Sequence, residues 1–285
     1  MSVPSVLYDA AGPRARRRNA IGSVIGGVVL LVALALVALR LGANGQFEAE
    51  KWAPFVQEPA LYTLLWKGVL YTLQAAAFGL VLAVALGVLL AVGRLSHHRV
   101  VWMPCVGIVE FFRAVPLLLL IFFFYLGFPL AFGMDLPPLW ALVLGLTLYN
   151  GAVIGEIVRA GVLSLPRGQA EAAYAIGLRP GQAMRLVLLP QAVRLMLPAL
   201  VSQLVVLLKD TSLGFIVSYE DLLANGEAAA QQLRNPIQIF ALVALVYILI
   251  NSAVSWLAGY LDRRMGRQYG RAAVARTEAV VDEAA

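Results

Sequence analysis

An all-α integral membrane protein with about six transmembrane helices is what the sequence predicts, on three observations. Hydrophobic residues fill 61% of the 285 positions and charged ones only 13%, a balance unlike that of a soluble core. The apolar residues gather into six runs, each long enough at about 1.5 Å per residue to cross roughly 30 Å of hydrocarbon. The loops between those runs alternate between rich and poor in arginine, as positive-inside bias requires.

Composition also excludes several classes of function. Cys105 is the single cysteine, so no internal disulfide can form. His97 and His98 are adjacent and lack the i, i+4 or CxxC spacing of a metal site, so a solvated loop is the better reading and no metal ligand set is expected. The net charge of +6 comes from arginines scattered among loops, without the aromatic-lined stripe of a nucleic-acid surface.

In chain order, residues 1–19 form a basic segment, and the first span follows at roughly 20–40. Its apolar run of about twenty residues exceeds the 7–15 of a signal peptide, so a retained helix is expected after Arg14, Arg16, Arg17 and Arg18. An outer loop reaches residue 60. A five-helix core over 61–260 then has spans near 61–93, 100–127, 138–163, 188–217 and 237–260, with a short helix near 166–180, and a basic tail occupies 261–285.

Arg94 and Arg99 fall in the loop after the second span. Arg167, Arg179 and Arg185 follow the fourth, and Arg263, Arg264, Arg267, Arg271 and Arg276 lie in the tail. The intervening loops hold Lys51, no cation at 128–137, and Arg234 opposed by Glu220, Asp221 and Glu227. Both termini and the 164–187 loop are thus expected in the cytoplasm. Arg40 and Lys67 sit at outer helix ends, within snorkelling reach of the headgroups.

The 164–187 loop contains "GQAEAAYAIG", in which strong helix formers follow Pro166 and precede Gly177, a residue suited to the left-handed position after a helix end. A cytoplasmic helix of two or three turns is expected there. Small side chains at Ala172, Ala173 and Ala175 would let another protein's backbone approach, and Tyr174, Ile176 and Leu178 would supply apolar contact. Pro180 permits a second helix start and Pro190 a third, bending the chain back into the membrane.

Glu171, Ala172 and Ala173, with Gly177 after three residues, and Val187, Leu189 and Pro190 after nine more, resemble the EAA motif of ATP-binding cassette importer permeases, with Val187 for the usual Ile. The resemblance implies the type I importer permease fold. It also implies that the short helix is a coupling helix seated on an ATPase subunit, with Glu171 as polar contact, Ala172 and Ala173 beside it, and Gly177 as the turn. The segments "EFFRAVPLLLLIFFFYLG", "NGAVIGEIVRAGVLSLPRGQ" and "LLKDTSLGFIVSYEDLL" are similar to the polar amino-acid uptake branch, and the last, with the basic tail, looks closest to actinobacterial glutamate permeases. Two departures stand out: Ala114 and Val115 where that branch has Gly-Thr, and Ser202 where it has Asn.

Ionisable residues inside the spans are the candidate substrate pathway, because an unpaired charge there costs at least ~2.5–3.5 kcal/mol. Glu110 and Arg113 share a helix face, as do Glu156 and Arg159, and two readings stay open for each pair: self-neutralisation, or service to a zwitterion. Arg113, Glu110, Asn150, Glu156 and Arg159 offer the cation, anion and amide that an amino acid needs. Asp210, near the outer face with Lys209, either borders an entrance or caps a following helix, and capping is favoured for Thr211 and Ser212. Pro116 breaks the third span, and Gly79 with Ala83 and Gly87 with Ala91 suit close helix packing.

No GxxxxGK[ST] phosphate loop, GxSxG elbow or zinc motif is present, so no enzyme is expected. No cofactor is expected in this chain, with ATP and Mg carried by a partner ATPase. The resemblance implies two ATPase subunits, a second permease, identical or sibling, an extracytoplasmic solute-binding protein, and location in the bacterial cytoplasmic membrane. Glutamate is the favoured cargo, with glutamine, histidine, arginine or another small polar substrate as alternatives. An ion-coupled secondary transporter is the rival class, disfavoured because no internal repeat is visible between 61–163 and 188–260.

Overall fold

The computed structural model describes residues 12–282, which form helices joined by short connections in two compact units, one ending at Glu58 and the other starting at Pro59. In the first, α1 (Pro13–Ala43) begins on Pro13, whose missing N–H is harmless at a helix start. Arg14 to Arg18 therefore lie inside the helix, which starts earlier than the expected residue 20, and the expected basic segment falls partly outside the described residues. No residue of α1 is buried, as befits a helix whose solvent is lipid. Asn44 closes it by donating through Nδ2 to the Arg40 carbonyl at 2.8 Å. After the left-handed Gly45, two short turns follow, α2 (Ala49–Trp52) and α3 (Pro54–Gln57), with the Trp52 and Phe55 rings 5.6 Å apart.

The second unit is organised around α4 (Pro59–Arg94). After it come α5 (Arg99–Ala114), then α6 (Leu117–Phe122), a π turn (Phe123–Gly127) and α7 (Phe128–Phe132), then α8 (Pro138–Leu163). A β-carbon on Gly79 would lie 3.3 Å from Leu146, and one on Gly87 would lie 2.7 Å from Ile154 and 2.9 Å from the Gly151 carbonyl. These glycines let α4 and α8 approach closely, in line with the small-residue spacing. The pairing advances in the same direction on both helices, so α4 and α8 run parallel.

Parallel packing decides how the third span behaves. Residues 99–114 and 117–132 make a pair bent by 100°, where the sequence suggested one run over 100–127. Proline explains the break: Val115 before Pro116 is extended at φ −79°, ψ 128°, as a pre-proline residue prefers. The bent pair must nevertheless return the chain to the end from which α4 started, since α8 leaves from that end. Among the described residues five helices are long and apolar enough to span, and the bent pair makes six.

Beyond α8 lie α9 (Arg167–Ala175), α10 (Pro180–Ala183), a π turn (Met184–Leu188), α11 (Leu189–Asp210) and a 3-10 turn (Thr211–Val217). Residues 180–217 form one continuous 38-residue span, so the third helical start expected at Pro190 is present as α11, but the bend expected with it is not observed. The π turn leads directly into α11, placing Pro190 in a first helical turn, where its absent N–H is tolerated. Thr211 and Ser212 are not N-caps either: their hydroxyls donate back to the Leu208 and Lys209 carbonyls at 2.7 and 2.8 Å as the helix tightens.

The last elements are α12 (Leu222–Leu233) and α13 (Pro236–Asp282). Asp221, counted above as a loop charge, is buried and caps α12 by accepting from the Ala224 N–H at 2.9 Å. Thr72 of α4 accepts from the Leu222 N–H at 3.0 Å, and a β-carbon on Gly68 would meet Leu222 Cα at 2.8 Å. Left-handed Arg234 turns the chain into α13.

Candidate functional site

Two places in the second unit gather the residues singled out above. The first is an ionic network where α4, α5 and α8 meet. Glu156 is pinned by Arg159, one turn further along α8, through Nη2 at 2.6 Å and Nε at 3.0 Å. Arg94, the last residue of α4, donates through Nη1 at 2.6 Å to Glu156 Oε2, the oxygen that also accepts from Arg159 Nε. Arg94 Nη2 lies 3.6 Å from Glu110 of α5, and Glu110 lies 3.9 Å from Arg113 Nη1.

The two expected i, i+3 pairs are thus both formed, but not in isolation. Arg94 fuses them into one cluster of three arginines and two carboxylates. Its side chain is only 9% exposed, while Glu110 is 59% exposed. Such a cluster can offer guanidinium donors to a carboxylate and carboxylate oxygens to an ammonium, the two needs of a zwitterion. Arg94, expected in the loop after the second span, instead closes α4. It ends an apolar run 62 residues before Glu156, and no local periodicity links the two; only the parallel packing of α4 on α8 does.

Asn150 and Asp210 are not part of that cluster in its contacts. Asn150 is fully buried halfway along α8, donates through Nδ2 to the Leu146 carbonyl at 3.1 Å, and accepts from Gln203 Nε2 of α11 at 2.6 Å. Gln203 was missed in the sequence, although an amide inside the apolar run "LVSQLVVLL" is a visible signal of a partner across helices. Its neighbour Ser202 is exposed and bonds only its own helix, at the Pro198 carbonyl. Asp210 ends α11, half-buried, next to Lys209, which lines a cavity of about 470 Å³ with Tyr247 and Asn251.

The second place is the stub made by α9 and α10. Gly177, at φ +86°, closes α9: its N–H donates to the Tyr174 carbonyl at 2.9 Å, and the Leu178 N–H donates to the Ala173 carbonyl at 3.2 Å. This is the paired closure that a left-handed glycine allows. Glu171, Ala172 and Ala175 are exposed, as are Tyr174 at 47% and Ile176 at 78%. Ala173, by contrast, is buried. Its expected place on an approachable face is corrected: it is small because its own chain packs on it. Gln191 of α11 ties the stub to the span, donating through Nε2 to Gln169 Oε1 and to the Val187 carbonyl, both at 3.0 Å.

Comparison with known proteins agrees with this architecture. The family described as binding-protein-dependent transport system inner membrane component matches residues 83–267. The glutamate transport system permease protein GluD of Corynebacterium glutamicum is 41% identical over 234 residues, covering 79% of this chain and 83% of that protein. The glutamate/aspartate import permease protein GltK of Escherichia coli is 34% identical over 220 residues, covering 75% and 97%. Among solved structures, an amino acid ABC transporter crystallised with histidines superposes with a TM-score of 0.67 at 28% identity, over 71% of this chain and 95% of that one. The MetNI methionine ABC transporter, inward facing, gives 0.61 at 24% identity and so speaks for the fold alone. With the parallel spans, the glycine-closed stub and this match all in place, the chain belongs to the inner-membrane permease components of binding-protein-dependent transport systems.

Proposed function

We propose that this chain forms the translocation pathway of an ATP-driven importer of polar amino acids, with glutamate as the favoured cargo. The reading is supported by relatives whose names specify glutamate or aspartate transport and by an ionic cluster suited to a zwitterion. In it, α9 is the coupling helix. Glu171, exposed on that helix, contacts a separate ATPase that carries ATP and Mg. The assembly has two such ATPases, a second permease, identical or sibling, and an extracytoplasmic solute-binding protein, with both termini of this chain in the cytoplasm. ATP-driven closure of the ATPases moves the stub, and Gln169–Gln191 passes that motion to α11.

The single observation that carries the proposal is the exposed, glycine-closed α9 with its Glu171-to-Pro190 spacing, a structure with no use in a carrier that works alone. The test is purification from the native membrane in mild detergent, followed by mass spectrometry. Recovery of an ATPase with a phosphate loop is expected, and a second permease chain distinguishes a heterodimer from a homodimer. Glu171→Lys is expected to insert normally, lose the ATPase, and abolish ATP-driven uptake in proteoliposomes. Recovery of this chain alone, with uptake driven by an ion gradient, would replace the importer by a secondary transporter.

A further inference from the structure

We propose that Arg94 receives a carboxylate of the transported amino acid on the Nε–Nη2 edge of its guanidinium, and that its charge selects for a dicarboxylic substrate. This rests on the amino-acid importer reading above.

Three observations lead to that edge. Arg94 Nε is buried and has no hydrogen-bond partner, and a charged donor left in that state needs an explanation, because burial without a partner is costly. Nε and Nη2 lie along one side of the planar guanidinium, the side that matches both oxygens of a carboxylate. Glu110 occupies only Nη2, at 3.6 Å, beyond the roughly 2.7–2.9 Å of a strong charged hydrogen bond. The third donor, Nη1, is committed to Glu156 at 2.6 Å, and Glu156 is held in turn by two bonds from Arg159.

The cluster is therefore firm on its α8 side and loose on its α5 side. Glu110, more than half exposed, can turn aside while Glu156 keeps Arg94 in place. An incoming carboxylate then spans Nε and Nη2, satisfying the unpaired donor. The displaced Glu110 becomes the acceptor for the substrate's ammonium, so the site exchanges one internal contact for two with ligand. Charge sets the class of substrate. Three arginines against two carboxylates leave one positive charge in excess, which a neutral zwitterion does not cancel and a second carboxylate does.

The test uses the permease–ATPase complex in lipid nanodiscs without its solute-binding protein, so that binding reports on the membrane subunits alone. Equilibrium binding of radiolabelled L-glutamate and L-glutamine is measured for the wild type and for Arg94→Lys, which keeps the charge but has no two-donor edge. The wild type is expected to bind glutamate more tightly than glutamine. Arg94→Lys is expected to weaken both ligands by about tenfold or more, the cost of a charge-assisted pair, and to keep the preference for glutamate, because each ligand has an α-carboxylate for the lost edge while the excess charge remains. In uptake by the complete importer, KM for glutamate should rise while the maximal rate changes little. Equal affinity of the wild type for the two ligands, or unchanged glutamate binding by Arg94→Lys, would overturn the inference even if that variant assembled poorly in one of the assays. Failure of the complete wild-type importer to take up any amino acid would instead remove the reading on which it rests.

Discussion

Asp221 is a carboxylate outside the spans that the fold takes out of water. It accepts from the Ala224 N–H at 2.9 Å and from the Tyr247 hydroxyl at 3.1 Å, yet burial pushes its pKa up to about 6. In the unfolded chain an aspartate titrates near ~3.9. Between these values the folded state holds the extra proton, so the stabilisation is complete below about pH 4 and is lost as pH rises through 6. Relative to Asp221→Asn, thermal unfolding of the detergent-purified wild type should lose on the order of 3 kcal/mol across that window; parallel curves for the two proteins would refute the assignment. The sequence placed Asp221 correctly as a polar residue between spans, opposed to Arg234. Its burial was not legible, because it depends on Thr72 and Gly68 of α4, about 150 residues away in the chain, accepting the start of α12 against them.

Elements were more legible than their joints. Hydropathy located Pro59–Arg94 and Pro138–Leu163 to within two residues, whereas α1 starts seven residues before its expected span. Proline was the difficulty, since the same ring gives a 100° bend after Val115 and none at Pro190. The difference lies in what precedes each: an extended residue before Pro116, and a π turn before Pro190 that opens a fresh helical turn for it. Two glycines carry predictions at this scale. Gly87→Ala forces a β-carbon to within 3 Å of Ile154 and the Gly151 carbonyl, and should lower stability by about 1–3 kcal/mol, read as a fall in the thermal midpoint. Gly177→Ala strains the left-handed closure of α9 by roughly 1–2 kcal/mol. It should slow ATP-driven uptake without reducing membrane insertion, and Gly177→Asn should be milder because Asn tolerates that conformation; equal uptake by all three proteins would count against a coupling role for the turn.

At the scale of the second unit, parallel α4 and α8 agree with the alternation of arginine-rich and arginine-poor loops for those two spans and the bent pair between them. Their packing also explains why the ionic cluster was only half visible beforehand. Glu110 with Arg113 and Glu156 with Arg159 are spaced for mutual contact within one helix, whereas Arg94 joins them only because two distant spans end at the same level. The same logic extends to descent. A lineage that lost one residue between Met184 and Leu188 would keep the length and oiliness of that span almost unaltered. Each turn-position from Leu189 onward would nevertheless swing by about 100°, carrying Gln203 away from Asn150. Insertions and deletions among the relatives should therefore collect in the connection near residue 45 and avoid this π turn, where a change invisible to hydropathy would break the bond between α11 and α8 at Gln203 and Asn150.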